Sequence, residues 1–267
     1  MITHRPLSRL AFGQGRASGG FRELPEEVAV ALSYNGSTQA VMMATPADLI
    51  DFAYGFSLTE GIASIDEIES VEVVESHLGI DLQIWLKDKA QARQTARRRT
   101  MAGPVGCGLC GIDSLEEARR KPALVSDRTF TLAPRQVMAA MRALTEHQPL
   151  HDTTHAAHAA AFWTPAAGMG AAREDVGRHN ALDKLIGALR GQSMGALVLT
   201  CRTSIDMVQK AAAADFPMII AASAPTATAV QVAEEAGITL IALARSDRFE
   251  VFTHPIRIAA EETAHVA

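Results

Sequence analysis

The sequence predicts an α/β protein in which a smaller N-terminal α+β portion precedes a larger three-layer domain with a mostly parallel sheet. From residue 196 onward, short apolar strands alternate with helical segments, which is the pattern of right-handed strand-helix-strand crossovers. Earlier in the chain, strands occur in hairpin pairs around one amphipathic helix. We therefore expect a flexible arm at 1–25, the α+β portion at 26–125 and the α/β domain at 126–267.

The composition is that of an ordinary globular protein, with 48% hydrophobic and 21% charged residues in a chain of 267. A net charge of −5 argues against a nucleic-acid partner. The start lacks an apolar signal core, and no run approaches the roughly 18 apolar residues of a membrane span. Three cysteines are too few for a disulfide scaffold. We expect a cytoplasmic protein without a membrane partner.

The N-terminal portion contains clear hairpin and helix signals. The pair Asn35-Gly36 suits a tight turn between alternating apolar segments, and Thr45 followed by Pro46 suits an N-cap and the first position of a helix. Residues 1–25 are rich in glycine and show no sustained period. The predicted elements are strands at 28–32 and 39–43, a helix from 45, strands at 71–75 and 80–86, and a basic helix at about 88–99.

The C-terminal domain contains the regular alternation. Its predicted elements are helices at 134–144, after 179, from 204 and at 226–236, and strands at 196–199, 218–221 and 239–243. Ligands of parallel sheets bind beyond the carboxyl ends of the strands. Residues 201–204, 223–226 and 245–248 follow three of these strands and offer hydroxyl, amide and guanidinium groups. We expect them to form an anion-binding rim.

A glycine-rich stretch, GPVGCGLCG at 103–111, contains Cys107 and Cys110. Glycine leaves both sulfur atoms accessible, so the stretch predicts a reactive loop. Lys and Arg predominate at 89–121. This positive charge favours the thiolate and attracts anions, although such a run is also typical of a solvated helix face.

A Cys-x-x-Cys pair is compatible with several kinds of site. Structural zinc needs two more ligands, and the sequence offers only scattered histidines such as His151, His155 and His158. A zinc deaminase needs an upstream His-x-Glu and a proline before the first cysteine, but Gly106 precedes Cys107. A thioredoxin-like pair would follow a strand, whereas a basic helix is predicted here. Structural zinc and a redox pair stay open, and the further option is a cysteine that carries a group such as a persulfide.

Four further residues have both structural and functional interpretations. His155 and His158 are expected to serve local packing or a polar surface. His179 suits a helix-start contact as well as a ligand role. Cys201 is expected to be a small buried residue and not a third sulfur carrier.

Several segments together resemble the FdhD family, the formate dehydrogenase accessory sulfurtransferases. The resemblance runs from about residue 26 onward and implies a homodimer with a cytidine-deaminase-like α/β domain that lacks zinc chemistry. The segments are VALSYNG at 30–36, GFSLTEG at 55–61, PVGCGLCG at 104–111, EDVGRHNALDK at 174–184, MVQK at 207–210, SAPT at 223–226 and THP at 253–255.

The resemblance implies a sulfur carrier that accepts persulfide sulfur from a cysteine desulfurase. It passes this sulfur to the molybdenum bis(molybdopterin guanine dinucleotide) cofactor, a bound substrate, for formate dehydrogenase. Cys107 matches the persulfide-bearing cysteine and Cys110 its companion; no permanent cofactor or metal is implied. The alternative is a chaperone for the molybdenum cofactor whose cysteines are structural or bind metal. The residues implied to contact the cofactor are Leu243, Ala244, Arg245, Ser246, Asp247 and Arg248.

Overall fold

The computed structural model describes residues 1–13, 15–100, 122–126 and 129–259, with residues 95–100 as helical backbone only. The predicted reactive loop, with Cys107 and Cys110, lies outside the described residues. So does most of the basic segment.

The N-terminal segment forms an antiparallel hairpin of β1 (His4–Gly13) and β2 (Arg16–Pro25), where the sequence predicted a loose arm. Most residues of both strands are exposed. A hairpin that is solvated on both faces needs no alternation of apolar and polar residues, so the usual strand pattern is missing. Ion pairs at its base, such as Arg5 to Glu26 at 2.6 Å, help to fix it.

The α+β portion has a four-stranded sheet in the order β4-β3-β6-β5. One helix, α1, packs on the sheet, and the core between them includes Leu32, Phe52 and Leu82, all 0% exposed. Both predicted strand pairs and the basic helix are confirmed. The elements are β3 (Val28–Tyr34), β4 (Ser37–Ala44), α1 (Leu49–Thr59), a 3₁₀ turn (Ile65–Glu67), β5 (Ile68–Ser76), β6 (Gly79–Leu86) and α2 (Asp88–Thr100).

The predicted start of α1 is wrong. Asp48, in the left-handed region at φ 52°, is the N-cap, and the helix begins at Leu49. Thr45 is engaged elsewhere, since its hydroxyl accepts a hydrogen bond from the Val176 N–H at 3.1 Å. Its own N–H donates to the Asp175 carboxylate at 3.0 Å. A contact across 130 residues of sequence therefore overrides the local capping signal.

The C-terminal sheet is mixed, in the order β12-β11-β10-β9-β7-β8, which corrects the expectation of a mostly parallel sheet. Only β9 with β10 and β10 with β11 pair in parallel, while β7 pairs antiparallel with both β8 and β9. Strand β8 was not predicted, because its sequence has no alternation of apolar and polar residues. The strands are β7 (His158–Thr164), β8 (Gly168–Asp175), β9 (Ala196–Leu199), β10 (Met218–Ala221), β11 (Thr239–Ala242) and β12 (Glu250–Val251).

Helices cover both faces of this sheet, as the three-layer prediction requires. Three helices pack on one face, through residues that include Leu182, Met207 and Ala233. Helix α3 packs on the other face, through residues that include Val137. Thr226 caps α7 through its side chain and Gly237 ends it at φ 74°, as predicted. The helices are α3 (Pro134–Thr145), α4 (Pro149–Thr154), α5 (Arg178–Leu189), α6 (Ile205–Ala213), α7 (Ala227–Ala236) and a 3₁₀ turn (Pro255–Arg257).

Helix α1 packs closely against α5, and we call this contact the seam. A Cβ atom added at Gly55 would lie 1.7 Å from the Asp183 carbonyl oxygen. One added at Gly187 would lie 1.8 Å from the Asp51 carbonyl oxygen. The two backbones touch, so the α+β portion and the C-terminal sheet domain share one tightly packed boundary. Within the described residues, no helix has the length and apolar character needed to cross a membrane.

Candidate functional site

The three segments predicted to form a rim do lie side by side, because β9, β10 and β11 are neighbours in the sheet. The Ala222 N–H donates to the Leu199 carbonyl at 2.8 Å, and the Thr226 N–H donates to the Thr203 carbonyl at 3.0 Å. The Thr203 hydroxyl is buried and has no hydrogen-bond partner in the described part of the chain. Such a buried hydroxyl needs a partner from outside the described chain, which ordered water or a ligand can provide.

The first half of the predicted cofactor segment is firmly built. Leu243 adopts a left-handed backbone with φ 50°, which turns the chain as β11 ends, and Ala244 is 0% exposed. The Arg245 guanidinium donates to the carbonyls of Ala222 and Ala244. Arg245 therefore ties the segment to the end of the neighbouring strand β10.

The second half of the segment faces solvent. The Ser246 carbonyl accepts a hydrogen bond from Arg142 of α3 at 2.9 Å. Asp247 and Arg248 form only a loose pair at 3.6 Å, with side chains 68% and 74% exposed. Arg248 is thus available to an anion, with Asp247 as its closest competitor.

Within the motif at 174–184, one group of residues forms a buried ion pair. Lys184 and Asp175 are both 0% exposed, and the Lys184 ammonium donates to the Asp175 carboxylate at 2.6 Å and to the Thr45 carbonyl at 2.8 Å. The Asn180 side-chain amide donates to Asp175 at 3.0 Å and to the Met43 carbonyl at 2.9 Å. Every charge here has partners, so the group fastens α5 to the end of β4.

A second ion pair lies at the seam. The Lys210 ammonium donates to Asp183 at 3.0 Å, to Glu60 at 2.8 Å and to the Thr59 hydroxyl at 2.9 Å. Burial raises the pKa of Asp183 against the opposing effect of Lys210. Burial also opposes the charge on Lys210, but Asp183 and Glu60 outweigh it and raise the pKa of Lys210. This cluster is structural as well.

The first residue of the motif has a local structural role. The Glu174 carboxylate accepts hydrogen bonds from the backbone N–H groups of Leu150 and His151, both at 2.8 Å. These amides belong to the first turn of α4, where a carboxylate is favoured. Burial raises the pKa of Glu174.

Two residues of the motif, Arg178 and His179, face the rim. The His179 Nε2 atom lies 3.5 Å from the Asp206 carboxylate, and the two side chains are 15% and 17% exposed. This separation is too long for a well-formed hydrogen bond, so the contact is loose and Nε2 is buried without a hydrogen bond within the described chain. His179 nevertheless lowers the pKa of Asp206, which keeps Asp206 anionic.

His158 and Cys201 adjoin these residues. His158 begins β7, opposite Asp175 at the end of β8. Burial lowers the pKa of His158, and the charge of Arg178 lowers it further. Cys201 follows β9, is 4% exposed, and has its pKa raised by burial to about 11. The low exposure confirms the expectation that Cys201 is buried. A thiol that stays protonated is also a poor nucleophile.

His151 and His155 make local contacts. His155 is exposed, and its ring meets the His151 ring edge-to-face with centroids 5.6 Å apart. Across the described ranges, no three His, Cys, Asp or Glu residues are grouped so as to hold a metal ion.

Fold and site together define a mixed α/β protein with an anion-suited rim at the strand carboxyl ends and a partly buried group of one arginine and two histidines beside it. The family model described as FdhD/NarQ matches residues 25–259. The chain belongs to the FdhD/NarQ family.

Relatives match over nearly the whole chain. A sulfur carrier protein FdhD of Agrobacterium fabrum is 51% identical, covering 96% of each chain. One of Brucella abortus is 48% identical, covering 96% of this chain and 99% of the relative. A crystal structure from Desulfotalea psychrophila, described as a formate dehydrogenase accessory protein, superposes with a TM-score of 0.77 at 24% identity. It covers 97% of this chain and 100% of that one. This last likeness concerns the fold.

The sequence does not show which residues of the motif are structural and which face the rim. Nothing near residue 175 signals that Asp175 would meet Thr45, because their contact exists only in the folded chain. The start of α5 has more polar residues than a helix cap needs, and Arg178 is one of them, but this signal does not set Arg178 apart from its neighbours.

Proposed function

We propose that this chain is a sulfur carrier that accepts persulfide sulfur on Cys107 and passes it to a molybdenum bis(molybdopterin guanine dinucleotide) substrate for formate dehydrogenase. In the first step, the Cys107 thiolate attacks the outer sulfur of a persulfide on a cysteine desulfurase. The sulfur-sulfur bond of the donor breaks, and the donor cysteine leaves as a thiolate. Cys107 then holds the transferred sulfur. The assignment makes the chain a sulfurtransferase.

The observation that carries the proposal is the near full-length match to proteins named sulfur carrier protein FdhD, in a chain that contains its own Cys107 and Cys110. The two cysteines lie in a glycine-rich stretch that suits access to sulfur. Cys201 is buried and protonated near neutral pH, so it does not compete for this role.

The rim supports binding of the dinucleotide substrate. Arg245 holds the segment at 243–248 in place through the carbonyl of Ala222. Arg248 is exposed and suits a phosphate group. The Thr203 hydroxyl lies just beneath the rim, 0% exposed and without a partner among the described residues. These groups follow β11 and β9, which flank β10 at one edge of the sheet, as a ligand that spans the rim requires.

Replacement of Cys107 tests the proposal. A Cys107→Ala variant should fold normally and lose essentially all maturation of formate dehydrogenase, measured as enzyme activity in cells that lack the native carrier. Cys201→Ala is the matched control and should retain maturation. Normal maturation with Cys107→Ala would overturn the mechanism.

Mass spectrometry separates sulfur transfer from the alternative, a chaperone for the molybdenum cofactor whose cysteines are structural or bind metal. After incubation with a cysteine desulfurase and cysteine, the peptide that contains Cys107 should gain one sulfur atom. Bound zinc without added sulfur would support the chaperone instead. The same samples, analysed by light scattering, test the proposed homodimer.

A further inference from the structure

Arg178 is a half-buried cation whose charge is not neutralised. Its side chain is partly buried, yet in the described portion of the chain it makes no hydrogen bond or ion pair. It lies close enough to His158 and Cys201 to lower the pKa of the imidazole and to oppose the rise in the pKa of the thiol. A partly desolvated guanidinium without a partner is costly unless a ligand supplies the missing anion.

The acidic groups nearby are already engaged. Asp175 is bonded to Lys184 and Asn180, and Asp206 pairs with His179. His151 also acts on His158 from α4 and adds no negative charge. The cluster of His158, Arg178 and His179, which we call the cationic cluster, therefore has a surplus of positive charge and hydrogen-bond donors.

The surroundings favour a small anion over a phosphate. Ala160 and Cys201 belong to the hydrophobic core on the α5 face of the sheet and are 1% and 4% exposed. The His158 side chain lies on the same face as Ala160, because alternate residues of a strand share a face. Ala160 and Cys201 bring few donors to a group with several oxygen atoms, each of which needs hydrogen bonds. A single anionic atom is satisfied by the guanidinium and one or two imidazoles.

We propose that His158, Arg178 and His179 form a subsite for a small sulfur anion, such as the terminal sulfur of a persulfide. The identity of this anion as transferred sulfur rests on the proposed function. Arg178 supplies the charge and two donors in a fork, and His158 adds a donor from the start of β7. Asp206 holds His179 in place from α6. The subsite lies beside the rim, so sulfur held there is next to the substrate.

The test is a binding measurement on the full chain with Cys107→Ala and Cys110→Ala, so that the probe does not meet the loop thiols. Sodium hydrosulfide is titrated anaerobically by calorimetry, and the His158 imidazole is followed by NMR. We expect binding that shifts the His158 resonances and weakens at least about tenfold with Arg178→Gln. Arg135→Gln removes the same charge from an exposed site on α3 and should leave the affinity unchanged.

Three results would overturn the subsite: no hydrosulfide binding, unchanged affinity with Arg178→Gln, or inorganic phosphate that displaces hydrosulfide and shifts His158 equally. The last would make the cationic cluster an oxyanion site. His158→Gln serves as a second variant if Arg178→Gln does not fold, and it should also weaken binding. Because these proteins lack Cys107, failure here leaves the proposed function intact. A failed Cys107 maturation test likewise leaves this binding result intact.

Discussion

Residues 174–184 contribute to two regions that differ in whether their charged side chains have hydrogen-bond partners. At the buried ion pair, Asp175 and Lys184 have partners on every side and no exposed surface. At the cationic cluster, Arg178 has none in the described chain, and the His179 contact with Asp206 is loose. Buried charged side chains whose hydrogen bonds are all made indicate a structural role. Partly buried charged side chains without partners indicate a ligand-binding role. The two roles are thus separable within one motif.

The largest effect should come from breaking the buried ion pair. Lys184→Met leaves the Asp175 carboxylate buried without its cation, and we expect a loss of about 3 to 5 kcal/mol in the free energy of unfolding. Urea denaturation followed by circular dichroism measures this loss. Lys89→Met, at an exposed position on α2, should cost less than about 0.5 kcal/mol. A loss below about 1 kcal/mol for Lys184→Met would mean that the pair is not structural.

Packing at the seam should give the next largest effect. Gly55→Ala gains about 1 kcal/mol of helix propensity, but its Cβ would lie 1.7 Å from a backbone carbonyl oxygen of α5. A backbone atom cannot rotate away, so α1 and α5 must separate, and we expect a net loss of about 1 to 3 kcal/mol. The measurement is again urea denaturation.

Gly20→Ala is the matched control for this packing effect. Gly20 lies on β2 with nothing within 4 Å of the added Cβ, so its change should stay within about 0.5 kcal/mol. Equal free energies of unfolding for Gly55→Ala and Gly20→Ala would show that α1 and α5 can move apart at little cost.

Local signals account for what the sequence predicted well. Strands β9 and β10 have the predicted bounds, and helix α7 ends as predicted but begins one residue later, at Ala227, because Thr226 is its N-cap. Continuous apolar runs, this cap and the left-handed Gly237 act over a few residues. Strand β8 was missed because its pairing with β7, and not its composition, makes it a strand. Thr45 was assigned to the wrong role because its partners come from the far side of the seam.

The candidate site, like the fold, could be predicted from the sequence only in part. The rim was predictable because the carboxyl ends of parallel strands meet at one edge, and the segments after β9, β10 and β11 do so. The cationic cluster was not predictable, because whether Arg178 finds a partner depends on Asp175 and Asp206 being taken by other residues. Motif matching alone gives all charged residues at 174–184 equal weight.

The smallest effect should come from Arg178→Gln. Because Arg178 has no partner to lose, its removal should not lower the free energy of unfolding at pH 7 by more than about 0.5 kcal/mol. As pH falls through the ordinary imidazole range near about 6.5, the unfolded chain binds a proton that folded His158 resists, because burial and Arg178 lower its pKa. The folded state therefore loses stability. Without Arg178, the pKa of His158 should rise towards its ordinary value and part of that loss should disappear. Arg178→Gln should thus gain stability relative to the unsubstituted protein between pH 7 and pH 5, whereas Arg135→Gln should not.

NMR titration of His158 and urea denaturation at both pH values measure this. An unmoved pKa of His158, or a loss above about 1 kcal/mol at pH 7, would place Arg178 with the structural residues of the motif.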